Sequence, residues 1–334
     1  MRAMVLHEQA DITKAPLRLE EVPDPQPGAG EVRLRVSACG VCHTDLHEVE
    51  GDLELHKRPI IPGHEIVGRV DALGEGAGRF SKGDRVGVAW LYSTPEDCEF
   101  RARGLENLCP EAKFTGWDVD GGYAEYMVVP EEFAYAVPEG IDDAHAAPLL
   151  CAGIVGYRAL RLAEYEAAPT LGLYGFGASA HIAIQIARHS GCDVYVFTRS
   201  DEHKRHAESL GAAWVGEADE DPGVRLRSSI IFAPAGHLVP KALAALERGG
   251  TLVCAGIHMS PIPEFHYELI YGERVLRSVM NATRADGEGL MRVAEEVSVQ
   301  TDVTTFGLEQ ANEALRRVKE SEVSGAAVLD LAGD

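Results

Sequence analysis

TLGLYGFGASAHIAIQIARHSGCDVYVFTRS, residues 170–200, reads as a strand, a glycine turn, an amphipathic helix and a second strand. At the turn, Gly175-Phe176-Gly177-Ala178-Ser179-Ala180 fits the pattern G-x-G-x-x-G/A. Gly175 permits the tight turn, Gly177 lets a pyrophosphate approach the backbone, and the helix N-terminus supplies N–H donors and positive potential. Strand and helix signals go on alternating through DEHKRHAESLGA, SSIIFAP, the helix-like VPKALAALERGG, the strand TLVCAGI and a further unit at ERVLRSVMN. The expectation is an α/β, doubly wound parallel-sheet domain of the Rossmann type over residues 152–283, binding a dinucleotide.

The end of the second strand normally selects the cofactor, because an acidic residue there hydrogen-bonds the ribose hydroxyls of NAD and repels a 2′-phosphate. This chain has Thr198-Arg199-Ser200 instead, with Lys204 and Arg205 one turn further on. A guanidinium and two hydroxyls suit a phosphate dianion, so NADP(H) is expected over NAD(H).

Working outward, residues 1–151 carry short β-rich runs, EVRLRVSA, IVGRVDAL and DRVGVAW, broken by Pro/Gly clusters such as PDPQPGAGE. They read as an antiparallel, loop-rich domain. Residues 284–334 add the helical stretches DGEGLMRVAEEV and LEQANEALRRVKES and the strand GAAVLDL, and are expected to return to the first domain. The 334 residues carry 53 acidic against 31 basic side chains, a net charge of −22 that repels nucleic acid and anionic lipid. No apolar run is long enough to span a bilayer and the start lacks a signal-peptide core, so the expectation is a cytoplasmic protein with no membrane partner. In that compartment the seven cysteines read as ligands and core thiols rather than as a disulfide framework.

Three distant stretches supply those ligands: Cys42 in GVCHTDLH, His64 in GHEIVG and Cys151 in PLLCAG. Two thiolates and an imidazole leave the fourth tetrahedral position of a zinc ion open, as a catalytic rather than a structural site requires.

With GVCHTDLH at 40–47, GHEIVGRVDALG at 63–74, GDRVGV at 83–88, DGGYAEY at 120–126, LLCAG at 149–153 and GFGASA at 175–180, the chain resembles the zinc-dependent alcohol dehydrogenases of the medium-chain dehydrogenase/reductase superfamily over essentially its whole length. The resemblance implies a GroES-like β-rich catalytic domain beside the Rossmann domain, and hydride transfer between a nicotinamide cofactor and a primary alcohol or aldehyde. It assigns Cys42, His64 and Cys151 to the catalytic zinc and Glu65 to a place behind it. Asp45 accepts the spare N–H of His64, Thr44 binds the substrate hydroxyl and His47 passes the proton on. Trp90, Leu91 and Trp117 fall where such enzymes line the substrate pocket, which favours apolar or aromatic substrates. Relatives form homodimers or homotetramers. The rivals are a zinc-free quinone reductase of the same superfamily, which lacks the Cys, GHE and Cys set, and a nucleotide sensor without turnover.

The chain departs from the family pattern in three places. Where many relatives hold a structural zinc with four cysteines, this chain has Pro95, Cys98, Arg101 and Cys109, so a four-thiolate site is impossible; Cys98 and Cys109 are left to pair, to bind metal irregularly or to stay free. Ala326 replaces an arginine that often meets the pyrophosphate, and Val155 replaces a threonine common near the nicotinamide.

Overall fold

In the computed structural model, which describes residues 1–257, 259–323 and 325–332, the chain divides into two units. One comprises Met1–Cys151 and Thr283–Asp334, the other Ala152–Ala282. The first is built on strands β1 (Glu31–Val41), β2 (Glu65–Leu73), β3 (Arg85–Val88), β4 (Tyr126–Pro130) and β5 (Ala134–Ala136), with helix α1 (His43–Glu50) between β1 and β2. Val32, Leu34 and Val36 of β1 are buried, while Glu31, Arg33 and Arg35 between them are not, so one face of the strand meets the core. Past Ala38 the pattern becomes continuous burial, because the end of the strand that leads to α1 is covered on both faces.

The second unit contains a six-stranded sheet: β6 (Thr170–Tyr174), β7 (Asp193–Phe197), β8 (Trp214–Gly216), β9 (Leu226–Ile231), β10 (Leu246–Cys254) and β11 (Val275–Ser278). The spatial order is β8-β7-β6-β9-β10-β11 and every pairing is parallel. Leu171, Leu173 and Tyr174 of β6 and Ile230 and Ile231 of β9 are fully buried, the mark of strands covered on both faces by helices. Those helices include α2 (Ala152–Leu162), α3 (Ala178–His189), α4 (Asp201–Ser209) and α5 (Leu238–Ala245). The chain then returns to the first unit with α6 (Arg284–Val297), β12 (Val303–Phe306), α7 (Ala311–Lys319) and β13 (Ala326–Asp330). This completes a seven-stranded sheet in the order β12-β13-β1-β2-β3-β5, with β4 also paired to β1. Among the described residues no helix is long and apolar enough to cross a membrane.

Three local features change or go beyond the sequence expectations. The helix-like run VPKALAALERGG is helical only to Ala245; Leu246 to Gly250 belong to β10, since Gly249 sits at φ +73°, outside helical space. Cys42 lies just ahead of α1 and caps it, a helix that the sequence reading did not anticipate. Of the alternatives left open for Cys98 and Cys109, the structure has them paired as a disulfide. A short helix, Glu99–Ala102, and the turn at Glu106–Leu108 fold the lobe back and bring the two Cα atoms to 6.5 Å, within bridging range. Arg101 completes the lobe by donating to the Thr94 carbonyl at 2.8 Å and to both carboxylate oxygens of Glu132 at 3.2 and 2.8 Å. Arg284 also reaches Glu132, at 2.8 Å, and its backbone N–H donates to Glu106 at 2.9 Å.

Candidate active site

Within the first unit β1, β2 and the segment ending at Cys151 bring four donors together. One ligand atom from each of Cys42, His64, Glu65 and Cys151 lies within 4.8 Å of all the others. Cys42 Sγ is 3.4 Å from His64 Nε2 and also accepts the Thr44 N–H at 3.3 Å, so the same sulfur faces the donor set and caps α1. Glu65 opens β2 and His64 stands just before it, after Gly63, whose φ of +99° and closeness to the Tyr123 ring and Cys39 Sγ leave no room for a side chain. Cys39 itself is buried and not part of the donor set.

Asp45 joins two donors from below. Its Oδ2 accepts the Cys42 N–H at 2.8 Å, and its Oδ1 lies 3.1 Å from His64 Nδ1. Nδ1 is thus turned to this carboxylate and Nε2 to the donor set, which places the ring to ligate through Nε2. Asp45 and His64 are both 0% exposed, which fixes this geometry against competition from water. Burial pushes the Glu65 carboxyl up to about 7; the Asp45 charge adds to this and the His64 charge opposes it. Burial alone would depress His64, yet Asp45 and Cys42 outweigh it and hold the imidazole well above the usual histidine range. The field among these groups therefore favours a positive charge. With a soft N/S donor set and an oriented imidazole, the residues fit a zinc ion.

Thr44 and His47 lie on α1, three residues apart and so on neighbouring positions of one helical face. His47 Nδ1 is 2.7 Å from Asp52 Oδ2, a partner that the sequence reading missed. Trp90 meets the His64 ring edge-on at 4.8 Å between centroids, and stacks with Phe114 at 5.3 Å and Trp117 at 6.0 Å. His56 stacks on Trp117 at 4.0 Å, while the indole N–H donates to the Glu54 carbonyl at 2.9 Å. The structure thus brings Trp90 and Trp117 together beside His64, adds Phe114 and His56, and packs Leu91 into the core at 2% exposure. Trp90 sits at the bend before the short strand that Leu91 begins, so the two neighbours belong to different local conformations.

In the second unit the glycine turn joins β6 to α3. Gly175 has φ +87°, and a Cβ there would strike Ala233. Around Gly177, by contrast, a Cβ would meet nothing within 4 Å, and this N-cap offers no side chain to the first N–H groups of α3. Gly177 and Ala178 are exposed, Ser179 is half-buried and Ala180 is fully buried, so the helix packs tightly while its start stays open. The turn is shaped to receive a phosphate group. After β7, Thr198 is buried, Ser200 Oγ accepts the His203 N–H at 3.3 Å as the cap of α4, and Arg199 is exposed. Lys204 is engaged with Glu217 at 3.5 Å.

Comparison with known proteins agrees with this picture. Residues 28–139 match the family of alcohol dehydrogenase GroES-like domains, and residues 180–296 match the zinc-binding dehydrogenase family. The chain is 45% identical to a probable alcohol dehydrogenase of Mycobacterium tuberculosis, covering 98% of this chain and 97% of that protein. Among solved structures, a cinnamyl alcohol dehydrogenase of Sorghum bicolor superposes with a TM-score of 0.88 at 29% identity, covering 100% of this chain and 98% of that one. A cobalt- and zinc-bound thermostable alcohol dehydrogenase of Pyrobaculum aerophilum gives 0.86 at 25% identity, covering 99% of each chain.

Proposed function

Since the chain belongs to the zinc-binding alcohol dehydrogenases of the medium-chain dehydrogenase/reductase superfamily, we propose that it interconverts apolar or aromatic primary alcohols and their aldehydes with NADP(H). The observation that carries this reading is the gathering of Cys42, His64, Glu65 and Cys151 around one point from three separate segments. Cys42, His64 and Cys151 would hold the zinc, with Glu65 behind it. Zinc, when bound, supplies a Lewis acid for an alcohol or carbonyl oxygen, and the dinucleotide gives or takes the hydride.

The protein's own residues then have separate tasks. Asp45 keeps His64 in the ligating tautomer and ties down the start of α1. The Thr44 hydroxyl binds the substrate oxygen, and His47, whose side chain is 28% exposed, carries the proton to or from solvent. The Trp90, Phe114 and Trp117 rings give an aryl substrate an apolar wall and exclude water from beside His64. Gly175, Gly177, Ala178, Ser179 and Ala180 form the pyrophosphate cradle. Exposed Arg199, with the hydroxyls of Thr198 and Ser200 and the nearby Lys204, favours the 2′-phosphate and hence NADP(H), for which aldehyde reduction is the working direction.

Assembly belongs to the same reading. Every residue of β11, the outer strand of the parallel sheet, is exposed, its Val275 and Leu276 included, and Tyr267 and Tyr271 of the preceding segment are exposed as well. Pairing of β11 with its copy in a homodimer, or within a homotetramer, would cover that edge. A monomer mass by light scattering would remove this part.

The deciding experiment combines zinc analysis with initial rates of benzaldehyde reduction by NADPH and by NADH. About one zinc per chain and faster turnover with NADPH are expected. No turnover after zinc is restored would favour the nucleotide-sensor reading.

A further inference from the structure

Helix α1 carries, besides Asp45, a second buried acid. Glu48 is 0% exposed, and neither of its carboxyl oxygens has a hydrogen-bond partner among the described residues. A fully buried glutamate is rare unless it is paired, and oxygens left without a partner cost stability. The backbone at this position is fixed, since Gln9 Nε2 donates to the Glu48 carbonyl at 2.6 Å. Thr44 and Glu48 stand four residues apart in the helix, so their side chains leave the same face, ~6 Å apart along the axis. The charges that reach the carboxyl are those of Asp45, His64 and Asp118. His64 meets Trp90 edge-on. Asp118 follows Trp117 in the chain, lies 2.7 Å from His56 Nδ1 and accepts the Phe114 N–H at 2.8 Å. The unpartnered carboxyl therefore belongs to the same neighbourhood as the aromatic wall.

We propose that Glu48 determines substrate choice, its carboxyl hydrogen-bonding a hydroxyl on the ring of an aryl substrate whose reacting oxygen is bound at Thr44. The inference rests on the alcohol dehydrogenase reading of this site and names its substrate class, the hydroxylated aryl alcohols and aldehydes. The carbonyl oxygen and a meta or para hydroxyl of a benzaldehyde are separated by roughly the rise of four helical residues, ~6 Å. In either protonation state the carboxyl accepts from a hydroxyl. Burial, with Asp45 and Asp118 adding to it and His64 opposing, pushes the Glu48 carboxyl well above the usual carboxylate range, which favours the acid form that donates as well. A substrate without the hydroxyl leaves the carboxyl unpartnered in the closed site. A pocket built to bond a hydroxyl rejects the analogue lacking it for this reason.

The test measures kcat/KM of the full-length zinc-loaded protein for meta- and para-hydroxybenzaldehyde and for the matching methylbenzaldehydes, at saturating cofactor, in the wild type and in E48M, E48A and E48Q. Comparing the hydroxy-to-methyl ratio between variants cancels the intrinsic reactivity of each aldehyde. In E48M that ratio should fall roughly 10- to 100-fold, the hydroxylated substrates losing and the methylated ones gaining. E48A should lower it in the same direction, and it tests the proposal even where E48M folds poorly. E48Q, whose amide still donates and accepts, should retain most of the ratio. A second readout needs no turnover: the Tm of E48M should rise by a few degrees, since an apolar chain replaces a buried carboxyl without a partner. A ratio unchanged in both E48M and E48A overturns the role of Glu48 and leaves the dehydrogenase reading standing. Equal losses on both kinds of substrate, together with a lower Tm, show a structural role and also overturn it. If the wild type reduces none of these aldehydes with either NADPH or NADH, the reading of the site fails, and this proposal with it.

Discussion

Cys42 and Cys151 on one side, and Cys98 and Cys109 on the other, are two thiol pairs within one unit, set among different charges. The first pair lies with His64 beside buried Asp45 and Glu65, where Asp45 and Cys42, against the effect of burial, raise the pKa of the imidazole. The second is joined covalently, and beside it Arg101 and Arg284 already neutralise Glu132 and Glu106. One site is organised around a cation that the chain does not supply; the other contains its cations as guanidinium groups. Counting cysteines does not distinguish the two, whereas the sign of the surrounding charge does.

The largest effect should come from removing a donor at the first site. His64→Ala is expected to lose bound zinc and lower activity by at least ~10³-fold, the several kcal/mol that a Lewis acid contributes, while thiol titration still finds the Cys98–Cys109 bridge. Retained zinc and activity in that variant would dissolve the contrast. Cutting the bridge should act on stability alone: Cys98→Ser opens a loop with a sequence separation of 11 and should cost about 2–3 kcal/mol, or roughly 5–10 °C in Tm, with kcat unchanged. Equal loss of zinc from the wild type and this variant during chelation would show that the lobe holds no metal.

Smaller effects sharpen the comparison. Asp45→Asn keeps the shape but weakens the hold on His64 Nδ1–H, and metal affinity measured by chelator competition should fall ~10- to 100-fold. In the lobe, Arg101→Met should cost about 1 kcal/mol, since the pair with Glu132 is partly open to water. Denaturant unfolding of Arg101→Met, Glu132→Gln and the double variant would show non-additivity if the pair is coupled.

What could be read in the sequence was what depends on a few adjacent residues. The turn at Gly175–Ala180 is set by local backbone demands, and the stretches around Cys42, His64 and Cys151 each announce an unusual residue in a short motif. The doubly wound sheet follows from a strand–helix alternation that persists over more than a hundred residues. The rest depended on contacts between distant segments. Nothing near Cys98 reveals that the backbone turns back to Cys109, and nothing near His56 reveals that Trp117, from another loop, lies against its ring. Asp52 stands only five positions from His47, but its place depends on Gln9, far away in the chain. Leu91 was grouped with its neighbour Trp90, although Leu91 opens a short strand and is buried in the core while Trp90 sits at the bend before it.

The double employment of Cys42, as donor and as cap of α1, narrows the substitutions that an evolving lineage could accept there. Serine would cap the helix well but offers a poor zinc ligand; histidine would bind zinc but caps badly; aspartate would cap while presenting a hard oxygen in place of a soft sulfur. A drift from thiolate to another ligand at this position therefore passes through intermediates that are impaired in folding or in metal binding, and the choice of metal becomes tied to the history of a helix.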